Sequence, residues 1–234
     1  MSCPRCAEGY ILPGEPKGAI QSDFTGAYLA TPSNGATESK RAVLLLTDVF
    51  GLPLQNCRII ADEVAERLQC DVWIPDYFDG GHLWTNRASV VDARLASLIA
   101  LIKEKRGYEK LGAFGYCFGG TTGIRLASTD LIQSVVICHP GQFSLSQVQV
   151  MRVPSAWVRA EACIDVDDAD ALTSRYVLAS RKGTEKFVEY EFVDYKGTPH
   201  GFAIRPDLRY PDIVEAQKKS VDQIVAWFGK TLSV

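Results

Sequence analysis

One cysteine stands in a glycine-rich stretch whose spacing is typical of a catalytic nucleophile. Gly115, Cys117 and Gly119 form the pattern G-x-C-x-G inside the sequence FGYCFGGTTG. The apolar run LGAF before it predicts a buried strand, and GGTTGIRLAS after it predicts the start of a helix. Such a strand-turn-helix segment presents a nucleophile on a strained turn and directs the N–H of the next residue, here Phe118, toward the oxyanion position. The pattern therefore predicts that Cys117 is a nucleophile.

Other polar residues follow other predicted strands. Asp48 ends the apolar part of KRAVLLLTDVFGL, the acidic stretch DVDDAD follows PSAWVRAE, and His200 follows KFVEYEFVDY. In α/β sheets, functional loops lie at the carboxyl ends of the strands. The chain order cysteine, aspartate, histidine is that of nucleophile, acid and base in the α/β-hydrolase fold. The acidic stretch also suits a solvated loop that caps the next helix, and it offers four aspartates, Asp165, Asp167, Asp168 and Asp170.

The rest of the chain predicts the elements that must position these residues. Strands are predicted at KRAVLLLTDVFGL (40–52), DVWIPDYF (71–78), LGAFGYC, LIQSVVICHPG, PSAWVRAE and, nearer the sheet edge, KFVEYEFVDY (186–195). Helices are predicted at NCRIIADEVAERLQC, at ASVVDARLASLIALIKEKRG with Gly107 as its C-cap, after Cys117, and from about Pro211 onward. This alternation predicts one α/β domain over 1–234, with a mostly parallel sheet covered by helices on both faces.

Composition argues against several other classes of protein. The net charge of −3, without a basic stripe, argues against a nucleic-acid partner. No run of 18 apolar residues predicts a membrane span, and MSCPRCAEGYILPGEPKG lacks the apolar core of a signal peptide. The seven cysteines are an odd number, so we expect free thiols in a reducing, cytoplasmic compartment. We expect no metal at Cys3 and Cys6, because no second ligand pair lies near them in the sequence.

The three motifs together resemble the dienelactone hydrolase family, a cysteine branch of the α/β-hydrolases. The resemblance is carried by GYCFGG around Cys117, PHGF around His200 and DVFG from Asp48. PDYFDGG and the CPRC start are similar to fungal members. The resemblance implies the α/β-hydrolase fold, Cys117 as nucleophile, His200 as base, and an aspartate that completes the triad. It also implies an oxyanion hole formed by the backbone N–H groups of Phe118 and Val49.

The resemblance implies roles for two further charged residues. Family members carry an acidic side chain at the position of Asp48, close to the thiol. A nearby like charge disfavours ionisation, so we expect Asp48 to keep Cys117 protonated until substrate arrives. Family members also use arginines to hold a substrate carboxylate, and Arg205, just after HGFAI, is a candidate.

The triad acid departs from the usual motif of the family. The compact acidic turn that family members show after the strand is replaced here by RAEACIDVDDAD. Matching the residues 162–165 to that turn selects Asp165 as the triad acid. Asp167 and Asp168 remain alternatives.

Three more residues are candidates for substrate contact. Tyr77 and Trp84 are aromatic and follow the end of a predicted strand, although core packing explains them equally well. His139 ends the strand containing VVICHP and could face the cleft or serve as a hydrogen-bonded structural histidine.

These observations predict a hydrolase of activated esters, lactones or enol-lactones that acts through a thioester and needs no cofactor or metal. Two alternatives stay open. The same cleft could perform an isomerisation, cyclisation or dehydration with Asp48 and His200 as acid and base, or the chain could be a binding module with a degraded triad. We expect a small-molecule substrate and a monomer or homodimer.

Overall fold

A computed structural model describes most of the chain. The described residues are 9–35, 39–80, 87–162 and 168–233, with the backbone alone for 162 and 168–172. Across these ranges the strands are β1 Ala19–Gln21, β2 Ala27–Ala30, β3 Arg41–Leu46, β4 Asp71–Ile74, β5 Lys110–Tyr116, β6 Ser134–Cys138, β7 Ser155–Ala162 and β8 Tyr190–Pro199. They form a single sheet in the order β1-β2-β4-β3-β5-β6-β7-β8.

In the order of the sheet, every pair from β4 to β8 is parallel, and β2 is antiparallel to both of its neighbours, β1 and β4. The helices that connect the strands are α1 Gln55–Leu68, α2 Ala88–Arg106, α3 Phe118–Leu126, α4 Leu145–Gln149, α5 Asp168–Ala179 and α6 Pro211–Thr231. None of the helices in the described ranges is long and apolar enough to cross a bilayer. The order and direction of the strands, with helices between them, confirm the predicted α/β-hydrolase architecture.

Helices cover both faces of the sheet, and alternation within the strands divides the core in two. Val43 and Leu45 of β3 pack in the cluster that includes α1 and α6. Leu44 and Leu46 of the same strand pack in the cluster that includes α2. Because both faces of β3 are buried, its sequence is a continuous apolar run instead of an alternating one.

Most of the predicted elements are confirmed, and three strand boundaries are wrong. The strand predicted over 40–52 ends at Leu46, and the strand predicted over 71–78 ends at Ile74. The helix before Gly107 ends as predicted, since Gly107 has a φ of 68° and its N–H donates to the Lys103 carbonyl oxygen. The last strand was predicted over 186–195 but lies at Tyr190–Pro199. Parallel pairing with β7, which aligns Ser155 with Tyr190, decides where this edge strand begins.

The β1–β2 hairpin escaped prediction because both of its strands are short. Thr25, with a φ of 55°, and Gly26, with a φ of 74°, make the connection between them. β2 pairs with β4, so the hairpin extends the sheet on the side away from β8.

Candidate active site

Cys117 lies on a strained turn between β5 and α3. Its φ of 53° and ψ of −113° are uncommon for a residue with a side chain. Backbone hydrogen bonds hold this conformation, because the Cys117 N–H donates to the Cys138 carbonyl oxygen at 3.1 Å. The Cys117 carbonyl oxygen in turn accepts from the N–H groups of Thr121 and Gly141, each at 3.1 Å. The thiol is free of any disulfide and 5% of the residue is exposed.

The glycines that bracket Cys117 are required by the close approach of β3, β5 and α3. A Cβ atom on Gly115 would lie 2.2 Å from the Gly119 carbonyl oxygen. A Cβ atom on Gly119 would lie 2.1 Å from the Leu46 carbonyl oxygen, at the end of β3. The G-x-C-x-G spacing is therefore the sequence signature of a turn packed tightly enough to exclude side chains on both sides of the cysteine.

Phe118 and Val49, the two residues predicted to form an oxyanion hole, both lie next to Cys117. Phe118 is the first residue of α3, and the first N–H groups of a helix have no partner within that helix. Val49 packs against Cys117. Its loop is held by the Gly51 N–H, which donates to the Asp48 carbonyl oxygen at 3.2 Å. In the described ranges, neither the Phe118 nor the Val49 N–H donates to another protein group.

His200 follows β8 directly and is held in a compact turn. The Phe202 N–H donates to the Pro199 carbonyl oxygen at 3.2 Å, and the Arg205 N–H donates to the Gly201 carbonyl oxygen at 2.8 Å. Gly201 has a φ of 87°, a conformation that favours glycine. The His200 residue is buried, with 4% of its surface exposed.

His139 connects the nucleophile turn with the histidine turn. Its ring lies 4.9 Å from that of His200, centroid to centroid, at an interplanar angle of 63°. The preceding residue, Cys138, accepts the hydrogen bond from the Cys117 N–H. Cys117 and His200 are therefore brought to the same edge of the sheet, at the carboxyl ends of β5 and β8.

Asp48 and Arg205 form a buried ion pair in this site. Arg205 Nε donates to Asp48 Oδ2 at 2.9 Å, and the two side chains are 4% and 0% exposed. The Phe50 N–H donates to Asp48 Oδ1 at 3.0 Å. Burial raises the pKa of Asp48 above its ordinary value, whereas the Arg205 cation and the Phe50 hydrogen bond act to lower it. The guanidinium of Arg205 also stacks on the Phe50 ring at 4.8 Å.

The residues predicted to contact substrate have different surroundings. Tyr77 is 1% exposed, and its hydroxyl group donates to the Thr47 carbonyl oxygen at 2.7 Å. Thr47 immediately precedes Asp48 in the sequence. His139 is 1% exposed, and burial lowers its pKa well below the ordinary value, which keeps the ring neutral. Neither of its ring nitrogens hydrogen-bonds to a described residue. Arg205 is directed to Asp48, as given above.

Several predicted residues lie outside the described part of the chain. These are Trp84, the triad candidates Asp165 and Asp167, and the pair Cys3 and Cys6. Asp168 begins α5, where only the backbone is described. Within the described ranges, no group of three or more His, Cys, Asp or Glu side chains is placed to hold a metal ion.

A cavity of about 790 Å³ opens beside His200. Its walls come from the N-terminal segment, the end of β8, the turn after His200 and the start of α6. They include Gly9, Tyr10, Glu161, Arg205, Asp207 and Arg209. Arg209 is paired with Asp207 at 2.7 Å and stacks on Tyr10 at 5.2 Å. The N-terminal segment gave no signal in the sequence, because irregular chain has no periodicity from which its contacts could be inferred.

A family model matches most of the chain. The model of the dienelactone hydrolase family matches residues 25–232, which include all of the elements from β2 to α6. The chain belongs to the dienelactone hydrolase family. Membership gives the class of enzyme, a hydrolase of carboxylic esters or lactones.

Curated relatives of this dienelactone hydrolase family member come from fungi and mammals. It is 27% identical to the hydrolase tropI of Talaromyces stipitatus, over 98% of this chain and 96% of that protein. It is 26% identical to the hydrolase pyvD of Aspergillus violaceofuscus, over 97% and 96%. It is 23% identical to the human carboxymethylenebutenolidase homolog, over 90% and 89%.

Solved structures of the same fold confirm the architecture. A dienelactone hydrolase from Anabaena variabilis matches with a TM-score of 0.64 at 15% identity, over 92% of this chain and 98% of that one. A carboxyl esterase from the fungus Tuber melanosporum matches with the same TM-score at 16% identity, over 88% and 82%. At these identities the likeness concerns the fold.

Proposed function

We propose that this family member hydrolyses an activated ester, lactone or enol-lactone through a thioester on Cys117. The observation that carries the proposal is the strained, positive-φ conformation of Cys117, which immediately precedes α3 and packs against Val49. Holding a thiol in such a strained conformation costs folding free energy, on the order of 1–3 kcal/mol. Strain of this kind is typical of residues whose side chain must reach a substrate.

In the first half of the proposed reaction, His200 takes the proton of the Cys117 thiol and the thiolate attacks the carbonyl carbon. The carbonyl electron pair moves to oxygen, where the N–H groups of Phe118 and Val49 donate to the oxyanion. One such donor is typically worth about 3–4 kcal/mol in the transition state. When the carbonyl re-forms, the C–O bond to the leaving group breaks, and protonated His200 gives its proton to the departing oxygen.

In the second half, water cleaves the thioester. His200 takes a proton from the water as its oxygen attacks the acyl carbon, and the same two N–H groups bind the second oxyanion. The C–S bond then breaks, the carboxylic acid leaves, and the thiolate regains its proton from His200. An aspartate in the loop after β7, Asp165 in our proposal, orients His200 through both halves.

The thiol nucleophile favours a particular substrate class. A thiolate is a good leaving group, so an unactivated amide would expel it from the tetrahedral intermediate and revert. Esters and lactones with stabilised leaving groups, such as enol-lactones, partition forward. We place Arg205 beside the acyl group of the substrate, where it remains paired with Asp48. Tyr77 and His139, both buried, support the Thr47 and His200 segments behind the bound substrate.

The test is to trap the acyl-enzyme. Incubation with a slowly hydrolysed p-nitrophenyl ester, followed by peptide mass spectrometry, should show an acyl group on Cys117. Cys117→Ala should lose both the adduct and the turnover. Cys138→Ala is the matched control, since Cys138 is fully buried and its side chain packs in the core behind the turn. Acylation of another residue, or full activity in Cys117→Ala, would sink the proposal.

A further inference from the structure

Asn56 joins two irregular segments that meet at the site. It lies in the first turn of α1, with none of its surface exposed. Its Oδ1 accepts from the Leu12 N–H at 2.9 Å, and its Nδ2 donates to the carbonyl oxygens of Tyr10 and Ile204, each at 2.8 Å. A side-chain amide has one acceptor oxygen and two N–H donors, so Asn56 uses each of them.

The first of these segments, residues 9–14, is here named the N-terminal strap. It packs directly on Arg205, because a Cβ atom on Gly9 would lie 2.4 Å from the Arg205 Cβ and 3.1 Å from Nη1. Gly9 has a φ of 147°. The second segment is the turn after His200, in which Ile204 immediately precedes Arg205. Asn56 therefore holds the strap and the turn on either side of the arginine that pairs with Asp48.

We propose that Asn56 is a positioning residue for the hydrolytic site, acting through Ile204 and the strap to hold Arg205 on Asp48. This rests on the proposed function of Cys117. Asp48 immediately precedes Val49, the second oxyanion donor, which packs against Cys117. A shift of Arg205 thus reaches both the charge near the thiol and the loop that carries Val49.

The structure explains why a side chain must perform this task. Neither the strap nor the turn lies in a strand at the points where they meet, so no ladder of backbone hydrogen bonds fixes one against the other. The three hydrogen bonds of Asn56 bridge 44 to 148 positions of sequence. Loss of one amide would leave an N–H and two carbonyl groups to find other partners in a buried place, which favours movement of both segments.

The decisive variant is Asn56→Leu, which keeps the size of the side chain and removes all three hydrogen bonds without adding a charge. We expect kcat for a p-nitrophenyl ester to fall at least tenfold. We also expect the pH profile of Cys117 alkylation by iodoacetamide to move to higher pH, since a displaced Arg205 no longer offsets the Asp48 carboxylate. Asn34→Leu, the same change at an exposed asparagine, should leave both measurements as in the wild type.

The outcomes are separable. If Asn56→Leu lowers the melting temperature but retains the wild-type kcat and alkylation profile, Asn56 is a fold anchor and the proposal is overturned. If Asn56→Leu does not fold, Gly9→Ala is used in its place. The added methyl group would push on Arg205, so the pH profile of Cys117 alkylation should shift. An unchanged profile in Gly9→Ala would overturn the proposal. Alkylation needs no substrate, so it reports on Asn56 even if ester turnover, and with it the proposed function, fails.

Discussion

Cys117 packs against Val49, the residue that follows Asp48 of the buried Asp48–Arg205 ion pair. A thiol with an ordinary pKa of about 8.5 is only a few per cent ionised at neutral pH. We propose that Asp48 favours the protonated thiol and that Arg205, paired with Asp48 at 2.9 Å, favours the thiolate. In this proposal the reactivity of Cys117 at rest depends on the balance of the pair, and neither charge acts alone.

Replacement of Asp48 should shift that balance. Asp48→Asn removes the carboxylate and leaves the Arg205 cation unopposed, so we expect the pH profile of Cys117 alkylation to move to lower pH. Alkylation of Cys117 near neutral pH should become correspondingly faster, as measured by mass spectrometry of its peptide across a pH series. Asp130→Asn, at an exposed surface pair with Arg152, is the control. An unchanged profile in folded Asp48→Asn would limit Asp48 to holding Phe50 and Arg205.

The last residues of β7 and β8 pair with each other, just before the acidic stretch and His200 in the sequence. Between Ala160 and Ala162 the register on β8 advances from Tyr195 to Pro199, so an irregularity in β8 sets Pro199 beside the last residue of β7. His200 follows at once. In the sequence Asp165 stands three residues after Ala162, the last residue of β7, whereas Asp168 already belongs to α5.

This placement leads to a ranking of the aspartates. Asp165→Asn keeps the shape of the side chain but cannot stabilise the His200 imidazolium, so kcat should fall roughly 100-fold or more. Asp167→Asn and Asp168→Asn, neighbours with the same chemical change, should each retain most of the activity. Steady-state kinetics on one p-nitrophenyl ester compares the three. Equal and small losses in all of them would place the acid elsewhere in the chain.

At the scale of the whole molecule, α6 closes the core on one face of the sheet. Phe228 of α6 has none of its surface exposed and packs near Phe114 of β5, with ring centroids 6.3 Å apart and an interplanar angle of 59°. It also lies over Gly112, where a Cβ atom would be 2.7 Å from the Phe228 ring. The C-terminal helix α6 therefore packs against β5, the strand that ends just before Cys117.

Truncation of this contact should destabilise the whole fold. Phe228→Ala removes a buried aromatic ring and leaves a cavity, which typically costs about 3–5 kcal/mol of unfolding free energy. Tyr176→Ala, at a residue that is 71% exposed, should change stability by only about 0.5 kcal/mol or less. Urea unfolding measures both values. A Phe228→Ala protein as stable as Tyr176→Ala would contradict the role of α6 in the core.

The sequence by itself determined the elements whose signals are local. The buried run of β3, the Gly107 cap of α2 and the glycine bracket of Cys117 each follow from burial or steric demands on a few neighbouring residues. The motifs around Cys117 and His200 also indicated the resemblance to the dienelactone hydrolase family. Such features depend on hydrophobic periodicity and on positions that need a positive φ, and both can be recognised within about ten consecutive residues.

Only the tertiary structure decided which distant residues meet. The pairing of Asp48 with Arg205 spans 157 positions and that of Asn56 with Ile204 spans 148. The start of β8 was misplaced for the same reason, because its register is fixed by β7 and not by its own alternation. Long-range contacts depend on how packed elements converge at one edge of the sheet, and no local pattern records that convergence.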